Sequence, residues 1–264
     1  MMTAEAPSKP SAAGAPSLSG YCAIIPTYDN RDTLEAVVER VRRFVPHVIV
    51  VDDGSGPESR AVAERLASEG LAEVYFREHN GGKGAAVMTG LEAARAAGMT
   101  HALQIDADGQ HDTEDIPRFL DASKRAPAAL VLGQPVFDAT APKARLWGRK
   151  LSVFWCMVET TSTKIGDPLC GFRVYPVDAG LAAKPRGRTM DFDPEIAVRL
   201  VWDDVPVVHV RTRVRYFSAE EGGVSHYRGV RDTLLIARMH FVLVLGMLWR
   251  LATWPVRRRL RARA

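Results

Sequence analysis

The stretch His101-Ala102-Leu103-Gln104-Ile105-Asp106-Ala107-Asp108-Gly109-Gln110-His111 is a short apolar run that stops at two carboxylates two residues apart. The run predicts a strand over residues 101–106. Period-2 geometry then puts Asp106, Asp108 and Gln110 on one side if the chain stays extended, and Gly109 permits a turn. Clustered carboxylate and amide oxygens are hard ligands, suited to Mg²⁺ or Mn²⁺. An ion held there can bridge a diphosphate and stabilise it as it leaves. The bland alternative is a solvated acidic turn; position at the carboxyl end of a strand favours a site.

Working outward, four more runs rich in β-branched residues predict strands over residues 21–26, 47–52, 73–77 and 129–133. Helical spacing fills the intervals. Leu34, Val37, Val38, Val41 and Phe44 share one face behind a candidate Asp32 cap. Ile116, Phe119 and Leu120 repeat the spacing behind Asp112. Strand–helix alternation means parallel pairing with right-handed crossovers, helices on both faces, and ligands at the carboxyl ends of the strands. The expected class is therefore α/β, a Rossmann-like, mostly parallel sheet. After Gly133 the alternation breaks into a helix over residues 145–161, a short strand over 171–176, a loop over 184–188, a helix over 192–201 and a strand over 207–216 with one basic face.

Two further motifs lie at strand ends. Val50-Val51-Asp52-Asp53-Gly54-Ser55 offers a carboxylate to a nucleobase or ribose, or, in the plainer reading, a turn and helix cap from Asp52 or Ser55. Asn80-Gly81-Gly82-Lys83-Gly84 is a glycine-rich turn opening a helix, an anion site beside Lys83 or simply tight packing. Its spacing is not that of a P-loop.

The bulk figures bound the rest. The chain has 264 residues, 47% of them apolar, with a net charge of +4, and its pI is about 9.1. Arg257, Arg258, Arg259, Arg261 and Arg263 carry the excess charge, so basicity belongs to the end of the chain. Three scattered cysteines imply neither a disulfide frame nor a zinc site and suit a reducing compartment. Residues 1–19 read as a disordered lead-in, 20–230 as the catalytic domain and 231–264 as a membrane-associating helix with a basic tail. The charge-free run Met239 to Trp249 spans 11 residues, short of the roughly 20 a membrane span needs. Trp249, Trp254 and the arginines suit attachment at a membrane interface instead, peripheral and on the cytoplasmic face. The helix bearing Trp147, Phe154, Trp155 and Met157 either faces the same surface or packs in the core.

Taken together, Ile24-Ile25-Pro26-Thr27-Tyr28, Val51-Asp52-Asp53-Gly54-Ser55, Asn80-Gly81-Gly82-Lys83-Gly84 and Asp106-Ala107-Asp108-Gly109-Gln110-His111 resemble family 2 glycosyltransferases, nearest to the dolichyl-phosphate mannose synthase-like branch. Asp167-Pro168-Leu169-Cys170-Gly171-Phe172-Arg173 looks like that branch's acceptor loop. The resemblance implies a GT-A fold and transfer with inversion from a UDP- or GDP-sugar to a lipid-linked acceptor. It assigns Pro26, Tyr28 and Asp53 to the donor nucleotide, and Asp106, Asp108 and Gln110 to the metal and diphosphate. It sets Arg149 toward an acceptor phosphate and Ser225 and His226 over the diphosphate.

Departures from the pattern bear on the acceptor. Asp29-Asn30 replaces Asn-Glu, Gly133-Gln134-Pro135 lacks the usual Arg, Gly222 stands where a basic residue is usual, and His226 stands for Lys. Fewer cations favour a hydroxyl acceptor over a polyprenyl phosphate. A hydroxyl must lose a proton in the transition state, which makes Asp193 and Asp191, with Glu195, the candidate bases. A nucleotidyltransferase would carry a glycine-rich basic loop after the first strand, absent from Pro26-Thr27-Tyr28-Asp29-Asn30. A non-catalytic lipid- or nucleic-acid-binding module would leave Asp106 and Asp108 without a task; the tail lacks aromatics for base stacking, so nucleic acid is not an expected partner.

Overall fold

A computed structural model describes residues 18–137, 143–215 and 229–261. Seven strands form one sheet in the order β3-β2-β1-β4-β6-β5-β7. β1 (Tyr21–Thr27) pairs in parallel with β2 (Val48–Asp52) and β4 (His101–Gln104), and β2 pairs in parallel with β3 (Glu73–Phe76). Between them run α1 (Leu34–Arg42), α2 (Pro57–Ser68) and α3 (Lys83–Ala96). The right-handed β-α-β rule places these crossovers on both faces. Period 2 divides the buried residues: Ile24, Ile49 and Val51 join α3 in one core, and Ile25, Val48 and Val50 join α1 in the other.

β6 (Arg173–Pro176) runs antiparallel to both β4 and β5 (Leu130–Phe137), while β7 (Val207–Val214) closes the sheet parallel to β5. β5 and β6 are reached through α4 (Ile116–Arg125) and α5 (Lys143–Thr160). α6 (Val177–Ala182), not expected from the sequence, follows β6, and α7 (Phe192–Trp202) precedes β7. The mixed sheet agrees with the expected class.

Two capping expectations fare differently. Asp112 accepts a hydrogen bond from the Glu114 amide and opens a short 3₁₀ turn before α4. Asp32 caps nothing; it lies on Arg31, and Thr33 holds the N-cap position of α1 without a side-chain capping bond, its hydroxyl donating instead to the Ala107 carbonyl. Neither Asp52 nor Ser55 caps α2, which starts after Gly56 on Pro57.

The C-terminal segment corrects the short-run argument. α8 (Gly229–Arg261) is one continuous helix, and Arg231–Thr253 is long and apolar enough to cross a membrane by length and composition. The 11-residue count was too small because the helix runs through its bracketing arginines: Arg250 turns back to the Trp202 carbonyl. One stripe of α8 is docked. Asp232, Met239, His240 and Leu243 are buried, and Gly246 lies against the Trp202 ring. His240 Nδ1 lies 2.7 Å from Glu159 Oε1, a buried polar tie between α8 and α5. The opposite stripe, with Phe241, Leu245, Leu248 and Trp249, is exposed. On α5, Trp147, Leu151, Phe154 and Met157 are exposed as well. Trp155 belongs to neither group; it stacks on His240, 6.3 Å between centroids.

Candidate active site

The carboxyl ends of β1, β2 and β4 meet where the glycine turn starts α3. Asp53, 2% exposed, accepts hydrogen bonds from the Gly81 and Gly82 amides at 3.0 and 2.6 Å and pairs with Arg77 at 2.7 Å. Gly54 and Gly82 adopt φ of +75° and +90°, a region that favours glycine. A side chain at Gly82 would strike the Arg188 carbonyl, which accepts from the Gly84 amide. Asp53, expected to face the donor nucleotide, is thus turned onto the glycine turn. Its neighbour Asp52 is fully buried, and neither of its carboxylate oxygens has a hydrogen-bond partner among the described residues. Pro26 is buried in β1 beside Val51, and half-buried Tyr28 starts a loop that Asp29 ties to the start of α2 by accepting from the Gly56 amide.

The glycine turn aims Lys83 into the centre of the site. Its ammonium lies 2.8 Å from Asp106 Oδ1 and 2.8 Å from Asp193 Oδ2. Burial opposes the charge on Lys83, but the two carboxylates outweigh it and raise its pKa. Burial likewise opposes ionisation of Asp106, and the Lys83 ammonium and the His111 ring overcome it, holding that carboxyl below the usual range. Asp108 goes the other way, raised by burial and then by the charge of Asp106.

The loop after β4 is not extended. Gly109 takes φ +72°, and Asp108 Oδ1 accepts from the Gln110 amide at 3.0 Å, so the two-residue period ends at the turn. The oxygens still suit a divalent ion. Asp106 and Asp108 repel each other, and among the described residues Asp106 Oδ1 is buried with no hydrogen bond of good geometry despite its ion pair. No group of three or more His, Cys, Asp or Glu side chains converges among the described residues. Mg²⁺ and Mn²⁺ are commonly held by one or two carboxylates, with substrate phosphates and water filling the shell.

The Asp167–Arg173 loop, expected from the resemblance to be the acceptor loop, packs against this centre. A Cβ built on Gly171 would overlap Asp106 Oδ2 and lie 2.6 Å from Lys83 Nζ. Arg173, fully buried, holds the loop from below: it donates to the carbonyls of Cys170 (2.6 Å), Pro168 (2.7 Å) and Asp193 (2.8 Å). Sequence reading quoted Arg173 only as the end of a motif; a lone arginine in a strand reads as exposed unless its carbonyl partners are known. Arg149 is brought to the loop, but its guanidinium lies 2.7 Å from Asp167 and is already compensated.

The candidate bases are engaged. Asp193 sits between Lys83 and Arg173. Asp191 accepts from the amide and hydroxyl of Thr189, and Glu195 accepts from the Arg186 and Gly187 amides and pairs with Arg199 at 2.6 Å. Ser225, His226 and Gly222 lie outside the described residues.

Comparison with known proteins agrees with this geometry. Residues 22–175 match the glycosyl transferase family 2 model. The chain is 32% identical over 167 residues to polyprenol monophosphomannose synthase of Mycolicibacterium smegmatis, covering 62% of this chain and 60% of that one. It is 29% identical over 167 residues to undecaprenyl-phosphate mannosyltransferase of Micrococcus luteus, covering 59% and 65%. The match thus spans less than two thirds of either relative. A solved structure of glucosyl-3-phosphoglycerate synthase from Mycobacterium tuberculosis with Mn²⁺ and UDP-glucose superposes with a TM-score of 0.62 at 17% identity, over 86% of this chain and 78% of that one; it shares the fold.

Proposed function

We propose, from the premise that the chain belongs to glycosyl transferase family 2, that it transfers a sugar with inversion from a nucleotide sugar to the phosphate of a polyprenyl-type lipid at a membrane surface. The observation that carries this is the contact of Gly171 with Asp106 and Lys83: donor and acceptor elements meet at one point, at the carboxyl ends of the parallel strands. The names of the relatives, which act on polyprenyl phosphates, favour a phosphate acceptor over the hydroxyl suggested by the departures in sequence.

Asp106, Asp108 and the Gln110 amide would hold a Mg²⁺ or Mn²⁺ ion, whose charge, when bound, offsets that of the donor diphosphate. Lys83 carries a second positive charge to the same oxygens. Asp52 offers buried acceptor oxygens to an N–H of the nucleobase at the β1–β2 end, beside Pro26 and Tyr28. Arg173 and Arg149 fix the acceptor loop. An acceptor phosphate oxygen attacks the anomeric carbon from the face opposite the leaving group. The new C–O bond forms as the bond to the diphosphate breaks, and the nucleoside diphosphate departs with the electron pair. An ionised phosphate has no proton to lose, so no base is required, and Asp193 serves to anchor Lys83 and Arg173. In this assignment Ser225 and His226 act on the diphosphate.

We further propose that the exposed stripes of α5 and α8 lie in the membrane interface. A helix docked along one side and apolar along the other suits an in-plane position, and the arginine tail would add attraction to anionic lipid. The testing experiment offers the full chain a panel of UDP- and GDP-sugars with Mn²⁺ or Mg²⁺, a polyprenyl monophosphate and the matching polyprenol. Sugar-labelled phospholipid with nucleoside diphosphate released in equal amount is the expected result. Transfer to the polyprenol alone would restore the base reading.

A further inference from the structure

β7 lies at the edge of the sheet and alternates strictly: Val210, Thr212 and Val214 are buried, while His209, Arg211, Arg213 and Arg215 are exposed. Both ends of this cationic face touch the site. At one end, His209 Nε2 accepts from the amide of Gly166, next to Asp167 in the acceptor loop, at 3.1 Å. At the other, the Arg215 amide donates to the Gln110 carbonyl at 3.1 Å, and Val214 bridges His111. Arg211 and Arg213 stand between them, on the same face as Gln134 and Val136 of β5, with which they are in register. Alternate residues of a strand are about 6.6 Å apart.

The cations of this region differ in one respect. Arg149 is compensated by Asp167, Arg173 by Asp193, and Lys83 by Asp106 and Asp193. Arg211 and Arg213 are exposed, and among the described residues neither guanidinium has an ion-pair, hydrogen-bond or ring partner. Gln134 and Val136, the positions of β5 alongside, carry no charge. Asp115 accepts from the Arg213 backbone amide at 3.2 Å rather than from its side chain, and two guanidinium forks on alternate residues of one strand suit a dianionic group with three oxygens.

We propose that Arg211 and Arg213 form the acceptor-phosphate subsite, which receives the phosphomonoester of the lipid between the acceptor loop and the Asp106–Gln110 turn. This rests on the reading of the site as one that glycosylates a lipid phosphate, and it moves the recognition of that phosphate from Arg149 to the edge strand. A face that merely keeps a sheet edge soluble, or that rests on anionic bilayer lipid, would carry the same charges without selectivity for the acceptor.

The test compares wild type, R211Q/R213Q and R211K/R213K as full-length chains in non-ionic detergent. Calorimetry measures binding of a short-chain polyprenyl monophosphate, the corresponding polyprenol and inorganic phosphate, with donor affinity as the control for folding. Wild type should bind the monophosphate at least about tenfold more tightly than the polyprenol. The glutamine pair should remove that advantage, the lysine pair should recover part of it, and donor affinity should stay put. Inorganic phosphate should compete in wild type only. Unchanged monophosphate affinity in R211Q/R213Q overturns the subsite. So does a variant with normal monophosphate affinity that has lost attachment to phosphatidylglycerol vesicles lacking acceptor, since the face is then a bilayer contact. Wild type that binds the monophosphate through these arginines but never glycosylates it refutes the proposed function and leaves the subsite standing; arginine-independent binding followed by transfer does the reverse.

Discussion

Replacing Arg173 by Met keeps the volume and removes the clamp under the acceptor loop. The side chain is fully buried, and its loss strands the carbonyls of Pro168, Cys170 and Asp193, together with a carboxylate that keeps only Lys83. Hydrogen bonds to charged groups contribute about 1.5–3 kcal/mol each. Three of them would sum to about 4.5–9 kcal/mol, mostly above the cost of removing one partner of a buried ion pair, about 3–5 kcal/mol. The lower range is the better guide, because the loop can shift to hydrate part of what is exposed. For a chain of this size 1 kcal/mol moves the melting temperature by about 2–4 °C, so R173M should melt about 10 °C below wild type. A thermal shift assay in detergent measures this. Arg173 touches no donor element directly, so acceptor KM should rise more than donor KM in whatever fraction stays folded. A melting temperature within about 2 °C of wild type would refute the reasoning, because it would mean the arginine holds nothing the solvent cannot replace.

Two other outcomes follow from the same geometry. D108N should keep its circular dichroism spectrum and lose both Mn²⁺ binding, read by electron paramagnetic resonance, and turnover by orders of magnitude, since an amide is a poor ligand for a hard cation; full turnover in EDTA would contradict it. Deleting residues 257–264 removes five arginines, each contributing about 1 kcal/mol near an anionic surface, so co-sedimentation with anionic vesicles should fall sharply while binding to the nucleotide sugar holds; unaltered sedimentation would remove the tail from the account.

The parallel half of the sheet was legible because each strand–helix pair announces itself through local periodicity, and the placement of Asp106 and Asp108 just past β4 was legible from the end of the apolar run. The antiparallel β6 was not: Arg173–Pro176 carries no local mark of direction, which is set by pairing with β4, about 70 residues away in sequence. Side-chain partners were hidden for the same reason. Asp193 looked free to act as a base until α7 brought it against Lys83 and Arg173. Arg149 looked available until Asp167 was found on it, and Asp52 and Asp53, adjacent in sequence, point to opposite surroundings. The basic face of β7 was visible as alternation, but its bridging of the acceptor loop and the Asp108 turn was not.

The buried tie between Glu159 and His240 joins the two helices that carry the apolar stripes; in the proposed interfacial position it would set the height of the site above the lipid. An enzyme held at fixed height meets a lipid substrate by lateral diffusion, in two dimensions. The variable governing acceptor encounter is then the mole fraction of acceptor in the surface. Diluting the membrane with inert lipid, at constant bulk acceptor, slows the reaction, whereas lengthening the hydrocarbon chain beyond the first few units adds nothing that the protein can feel.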